Sequence, residues 1–322
     1  MLDESATARW TPLTGGVSSD IWRVDLPGDV VCVKRARPVL AVAADWKAPV
    51  ERNESEVAWL QVAASVNRGA VPRILGQLPD DHLFVMEFLD PDRFPVWKSE
   101  LAAGRVDENL ASRVGAIIGS IHSHTAGDQA VAAQFSTDDL FHSLRVEPYF
   151  EETAGAHANR PEIAAAILEL AQRTTTTKRA LVHGDVSPKN VLSGPEGPVL
   201  LDAECAWYGD PAFDVAFCLT HLLLKCLWVR GKSDSYLRSA RAFATSHAGL
   251  IDWERAEEFD DRVATLIPAL FLARVDGKSP VEYLTSETDQ EAVRTFASDL
   301  LLNPEHSTEA VFSAWQRSLT SE

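Results

Sequence analysis

The chain reads as an α+β fold in which strands gather at the beginning and helices dominate the rest. Three observations predict this. Two strand patterns flank the turn signal Pro27-Gly28-Asp29; the hydrophobic period changes near residue 90; and a short strand hairpin interrupts the helical remainder between residues 180 and 202. At 322 residues, two domains are the expectation, with a boundary where the composition changes: residues 1–88 and 89–322.

Each element follows from local pattern. Asp20 to Leu26 (DIWRVDL) and Val30 to Lys34 (VVCVK) form an antiparallel hairpin across that turn. Glu51 to Ser65 has helical spacing, with Val57, Leu60 and Ala64 on one face, and Leu83 to Phe88 (LFVMEF) is a further strand. Beyond it, Leu110, Val114, Ile117, Ile118 and Ile121 make the apolar stripe of a helix from Asp107 to Thr125, and Ile163, Ile167 and Leu170 repeat the pattern within Pro161 to Gln172. The runs ALVH, NVLS and PVLLD are short strands, the last two joined by Gly194-Pro195-Glu196-Gly197. Asp210 and Pro211 then cap and open a long buried helix.

Hydrophobic residues make up 46% of the chain and charged residues 24%, the balance of a globular protein. A net charge of −17 argues against nucleic acid or an anionic membrane surface as partner, since both call for clustered Lys and Arg. It is compatible with a cationic substrate. Cys32, Cys205, Cys218 and Cys226 form no CxxC pair and sit in apolar runs, as reduced buried thiols do. The opening MLDESATARW has neither the basic nor the apolar region of a secretory signal, and Ala212 to Val229 carries Asp214, His221 and Lys225, so a cytoplasmic location without a membrane span is expected.

Chemistry concentrates in His183-Gly184-Asp185-Val186-Ser187-Pro188-Lys189-Asn190, with Asp202-Ala203-Glu204 following. Phosphoryl transfer requires a group that orients the attacking hydroxyl, and oxygen ligands that hold Mg2+ against the phosphates. An Asp on a tight loop suits the first task. An Asn carbonyl five residues on, with a carboxylate beyond a hairpin, suits the second. HGDVSPKN resembles the HGDxxxxN loop of the aminoglycoside phosphotransferase and choline kinase superfamily, and LLDAECAWYGDPAFDVA is similar to the metal-binding segment of that family. The resemblance implies a bilobal protein-kinase-like fold, with Asp185 as catalytic base and Asn190 and Asp202 as Mg2+ ligands. It further implies Glu204 as an auxiliary carboxylate and His183 and Asp214 as supports of the catalytic loop.

The same resemblance assigns the N-terminal segment to ATP. Leu13 to Ser19 (LTGGVSS), with Gly15, Gly16 and Ser18, is similar to a phosphate-covering loop, although it departs from GxGxxG, and no Walker A sequence is present. Lys34 ends an apolar strand, where it needs a partner if buried. The family places its phosphate-binding Lys there, paired with a Glu on the next helix, here Glu56 ahead of Glu54. Glu87 and Leu89 would meet adenine through their backbones at the interlobe hinge.

Lys34 to Glu56 also looks like the corresponding part of 5-methylthioribose kinases, with a Trp, a Pro and an Arg-x-x-x-Glu entering the helix. Those enzymes differ after the catalytic Asp, where SPKN is closer to other members. The acceptor is therefore expected to be a small-molecule hydroxyl, sugar-like or amino-alcohol, with an aminoglycoside or related antibiotic as the alternative. A pseudokinase-like binding protein would have lost Lys34, Asp185, Asn190 or Asp202, and all four are present. A protein kinase is disfavoured by the missing HRD arginine and long activation loop. His122 and His124 read as helix-end polar residues and His221 as a satisfied core histidine. Trp207 and Tyr208 fit either the acceptor pocket or packing under the loop, and Asp90, Asp92 and the acidic residues between Asp252 and Asp261 fit either a face towards the acceptor or, slightly ahead of it, a solvated helix face.

Overall fold

A computed structural model describes residues 8–13, 18–37 and 49–320. Its first part is an antiparallel sheet of five strands, β1 (Arg9–Pro12), β2 (Ser19–Leu26), β3 (Asp29–Ala36), β4 (Ile74–Leu78) and β5 (Leu83–Glu87), in the order β1-β2-β3-β5-β4. The β2–β3 hairpin closes with Leu26 opposite Asp29, and the intervening Gly28 takes the positive φ (84°) that this turn requires. Side chains alternate across β3. Val31 and Val33 join Val24 on the outer face, while Cys32 and Lys34 point to the other side. Helix α1 (Arg52–Val66) covers that inner face with Val57, Trp59, Leu60 and Ala63.

Helices make up most of the remainder: α2 (Trp97–Ala102), α3 (Glu108–Thr125), α4 (Gln129–Gln134), α5 (Asp138–Phe141), α6 (Glu152–Ala156), α7 (Pro161–Thr176), α8 (Ala212–Trp228), α9 (Ser233–Ala248), α10 (Ala256–Asp276), α11 (Glu287–Leu302) and α12 (Thr308–Thr320). Asp107 caps α3 by accepting from the Asn109 N–H, and the expected Leu110-to-Ile121 stripe is buried. Almost all of α8 is buried between α9 and α10, which is why its sequence is apolar on every side. Its first helical N–H, that of Ala212, is met at 3.0 Å by Asp210 Oδ1.

Short strands hold the polar loop inside this helical body. The expected hairpin is β7 (Val191–Gly194) with β8 (Gly197–Leu200), whereas β6 (Ala180–Val182) pairs with β9 (Trp207–Gly209). Strand β9 has no signal of its own, because three residues are too few to show a period. A π-helical segment, His142–Glu151, joins α5 to α6 and contains Pro148, which has no N–H to donate to a regular α-helical ladder. All four cysteines are free and buried. No described helix is long and apolar enough to cross a membrane.

Candidate active site

The loop after β6 is built around one glycine. Gly184 has φ 79°, and a Cβ there would come within 2.6 Å of the Cys205 carbonyl oxygen, so a larger residue meets both strain and collision. Behind it, Asp214 of α8 accepts from the N–H groups of His183 (2.7 Å) and Gly184 (2.8 Å) and is itself contacted by His122 Nε2 at 3.2 Å. His122 is thus a buried support of Asp214 rather than a polar helix end. His183 has one ring nitrogen, Nε2, on the Leu201 carbonyl (3.1 Å), and Nδ1 accepts from the Asp185 N–H (3.1 Å). Burial lowers its pKa, so it stays neutral.

This bracing aims Asp185. Its Oδ2 lies 3.1 Å from Arg145 and 3.0 Å from Lys189, while its Oδ1 is buried and has no hydrogen-bond partner among the described residues. Burial disfavours the carboxylate, but Lys189 and Arg145 outweigh it and bring the pKa below the usual carboxylate value. Asn190 donates from Nδ2 to the Asp185 carbonyl at 3.0 Å, so its amide oxygen faces away from that bond. The Leu201 N–H donates to the Asn190 carbonyl at 2.9 Å, tying the end of the loop to the strand that leads into Asp202.

Asp202 has a left-handed backbone (φ 67°), a conformation that Asp tolerates better than most residues. Its Oδ1 is 2.5 Å from Lys34 Nζ, which also lies 2.7 Å from the Glu56 carboxylate. Burial works against Asp202, yet Lys34 and then Lys189 hold its pKa well below the ordinary range. Glu56 moves the other way, to about 7, because burial outweighs the pull of Lys34. Glu204 lies 3.0 Å from Arg52 Nε, and Arg52 reaches on to the carbonyls of Pro49 (2.8 Å), Arg37 (2.7 Å) and Ser18. Burial and the nearby Asp202 raise the Glu204 pKa.

The site residues expected from sequence therefore fall into distinct places. Lys34, Glu56 and Asp202 meet directly; Asp185, Asn190, His183 and Asp214 form one braced loop; Glu204 belongs to the Arg52 network. Ser18 is buried beside Arg52 and Glu204, whereas Gly15 and Gly16 lie outside the described residues. Glu54 is exposed. Glu87 closes β5 with its N–H on the Arg73 carbonyl (2.9 Å) and its side chain on the Arg73 N–H (2.9 Å); Leu89 follows, half-buried. Trp207 is buried in packing: its ring stacks on Phe141 at 4.1 Å, and its indole N–H bonds Asp138 at 2.9 Å. Among the described residues no group of three or more His, Cys, Asp and Glu side chains gathers as a metal centre. The oxygen set of Asn190 and Asp202 is nonetheless suited to a hard divalent cation, since each keeps an oxygen with no hydrogen-bond partner among the described residues.

The phosphotransferase enzyme family (APH) matches residues 9–259, which include both the Lys34 pair and the Asp185 loop. The chain belongs to that family. Among curated members, it is 26% identical over 220 residues to the methylthioribose kinase of Pectobacterium carotovorum subsp. carotovorum, covering 60% of this chain and 54% of that one. With the methylthioribose kinase of Bacillus thuringiensis the identity is 23% over 231 residues, 64% and 58% of the two chains. The chain spans about half the length of the curated relatives it matches.

Solved structures of similar fold include amicoumacin kinase hAmiN in complex with AMP-PNP, Ca2+ and Ami (TM-score 0.57, 14% identity, 93% and 90% covered). An ethanolamine kinase of Plasmodium vivax (0.54, 12%, 99% and 82%) and an aminoglycoside phosphotransferase of Alicyclobacillus acidocaldarius (0.53, 14%, 99% and 94%) are also similar. The α+β architecture of this family member is thus that of small-molecule kinases. Three functional-looking residues escaped the sequence reading: Arg145, Lys189 and Arg52. Lys189 stood in plain view inside the loop motif, and Arg52 opens the Arg-x-x-x-Glu signature, one turn before Glu56 on α1. Arg145 has no local signal, since its role rests on Gly184 and Asp185 about forty residues away.

Proposed function

We propose that the chain is a small-molecule kinase that transfers the γ-phosphoryl group of ATP to a hydroxyl, with Mg2+ as cofactor. One observation carries the reading: Asp185 is fixed through Oδ2 and its loop, yet keeps a buried Oδ1 free, while Lys34 is held between Glu56 and Asp202. In this assignment the segment to residue 88 binds the nucleotide, with Gly15, Gly16 and Ser18 over the phosphates and Glu87 and Leu89 at adenine. Residues 89–322 carry catalysis and the acceptor site.

Asp185 Oδ1 accepts a hydrogen bond from the acceptor hydroxyl, orients its oxygen for in-line attack and takes the proton as the bond to the γ-phosphorus forms and the bond to the bridging oxygen of the departing ADP breaks. Its low pKa makes it a weak base, in keeping with a loose transition state in which the proton leaves late. Lys34 turns from Asp202 towards the α/β-phosphates while retaining Glu56, and Lys189 offsets charge near the transferred group. Asn190 and Asp202, with Glu204 nearby, would hold Mg2+, which neutralises phosphate charge when bound. His183 and Asp214 keep the loop in register.

The methylthioribose kinase relatives favour a sugar-like acceptor, with an amino alcohol or an aminoglycoside as the competing possibilities. A cytoplasmic enzyme fits the composition. Incubating the purified protein with ATP and Mg2+ and a panel of sugars, amino alcohols and aminoglycosides, and following ADP release and acceptor phosphorylation, tests the reading. Phosphorylation that vanishes in Asp202→Ala supports it, and undiminished turnover in that variant sinks it.

A further inference from the structure

Phe213, Phe217, His221 and Lys225 are spaced four residues apart and share one face of α8. The stripe starts beside the loop. Arg145, paired with Asp185, lies 5.8 Å from the Phe217 ring; Tyr149 packs on the same ring at 5.4 Å; and the His221 ring follows at 5.0 Å. It ends at Lys225, whose Nζ sits 4.5 Å from the Tyr283 ring and 5.4 Å from that of Trp228, two rings stacked on each other.

Two cationic side chains along this face, Lys225 and Arg274, are nine-tenths or more buried and have no ion-pair partner among the described residues, and the equally buried His221, whose pKa burial pushes well below the usual histidine value, lies near both. Lys225 is 1% exposed, and its one hydrogen bond among the described residues is a long 3.5 Å contact to the Tyr283 hydroxyl. His221 Nε2 is buried without a hydrogen-bond partner among the described residues, so this histidine is not the satisfied core residue expected from sequence. Arg274 of α10 bonds the Tyr149 hydroxyl (3.0 Å) and Ser279 through Nη1, while its Nε has no hydrogen-bond partner among the described residues. None of the three makes an ion pair with a carboxylate among the described residues. Lys98 on α2 and Lys189 on the loop add positive potential at His221, and Glu282, the carboxylate that acts on Lys225, is itself paired with Lys98. Burial brings Lys225 down to about 7, with Lys98 and Arg274 pushing the same way and Glu282 and Cys218 opposing.

In a chain of net charge −17, two buried cations without a carboxylate partner among the described residues are anomalous. Isolated buried charges are unfavourable, and an anion placed among them removes the penalty. We infer that Lys225, His221 and Arg274 bind a carboxylate of the acceptor, so that the substrate of the proposed kinase is a polyhydroxylated acid rather than an amino alcohol or an aminoglycoside. Phe217 and Lys225 are two helical turns apart, about 12 Å, a span suited to a sugar-sized skeleton with its hydroxyl at Asp185 and its carboxylate at the far end.

The inference rests on the kinase reading, and the test separates the two. MgATP binding to the full chain is measured by calorimetry, and ADP release is then compared for glycerate, ribonate and gluconate, for glycerol, ribitol and glucitol, and for ethanolamine and kanamycin. The acids should exceed their neutral counterparts in kcat/KM by about tenfold or more. Lys225→Met should raise the KM for the acid by a similar factor and leave the KM for ATP unchanged, and Lys225→Arg should recover part of the loss. Should no acid be turned over, thermal protection by the same three acids decides, since parent but not Lys225→Met should be protected. Equal use of polyol and acid, preference for the amines, or identical protection of parent and variant overturns the anion assignment. Absence of MgATP binding overturns the kinase reading itself, whereas MgATP binding with phosphorylation of an amine overturns the anion assignment alone.

Discussion

The two ends of the proposed cleft treat buried charge in opposite ways. At the nucleotide end each buried cation has a carboxylate: Lys34 with Glu56 and Asp202, and Arg52 with Glu204. Around α8, Lys225 and Arg274 are buried as well, beside His221, and their contacts are aromatic rings, hydroxyls and carbonyls. A paired ion network is complete without ligand and serves to position its members. An unpaired one leaves its compensation to whatever binds. The difference teaches where the protein has fixed its own geometry and where it depends on a substrate.

Between the two ends stands Asp185, and its substitution should have the largest effect. Asp185→Asn keeps the shape but cannot take the proton, so kcat should fall by about two to four orders of magnitude, with ATP affinity and melting temperature little changed. If the variant melts early yet turns over normally, Asp185 only braces its loop. Breaking the paired end should cost stability instead. Arg52→Met leaves Glu204 buried beside Asp202 without its ion-pair partner and with only the more distant pull of Lys34, an expected loss of about 3 kcal/mol in chemical denaturation, because removing one partner strands the other. A loss below about 1 kcal/mol would mean that the network is solvated.

Gly184→Ala tests the hinge of the loop at a smaller scale. Positive φ and the 2.6 Å approach to the Cys205 carbonyl together predict about 2–4 kcal/mol of destabilisation, with reduced kcat as Asp185 shifts. The unpaired end gives the smallest and most distinctive outcome. Lys225 titrates near 7 in the folded chain and near the ordinary lysine value, about 10.4, in the unfolded chain. Between these values the unfolded state binds the extra proton, so this residue makes stability rise with pH, by at most about 1.4 kcal/mol per unit. Lys225→Met should therefore melt above the parent at pH 7 without acceptor, with the gap closing towards pH 10. A variant that melts lower throughout would make Lys225 a structural residue.

Much of this organisation was legible in the residues. The β2–β3 hairpin, the α3 stripe and the β7–β8 turn are local patterns, and the loop from His183 to Asn190 with Asp202 beyond it is a compact motif whose spacing survives folding. The pairing of Lys34 with Glu56 was expected through the family resemblance, which places a Glu on the helix after the strand, and the two groups meet at 2.7 Å. Strand β9 and the π-helical segment around Pro148 left no such trace, being respectively too short and too irregular for periodicity.

What the sequence determined by itself, then, was the order of elements and the likeness of the His183–Asn190 loop to the family motif, since both depend on spacing along the chain. Only tertiary structure decided which charges are compensated. Arg52 meets Glu204 across 152 positions, and Arg145 reaches the Gly184 carbonyl across 39. Lys225 is buried among rings from its own helix and from the segment after α10. The energy of a buried charge is set by distance and local polarity in space, and neither quantity is encoded in the neighbours of a residue along the chain.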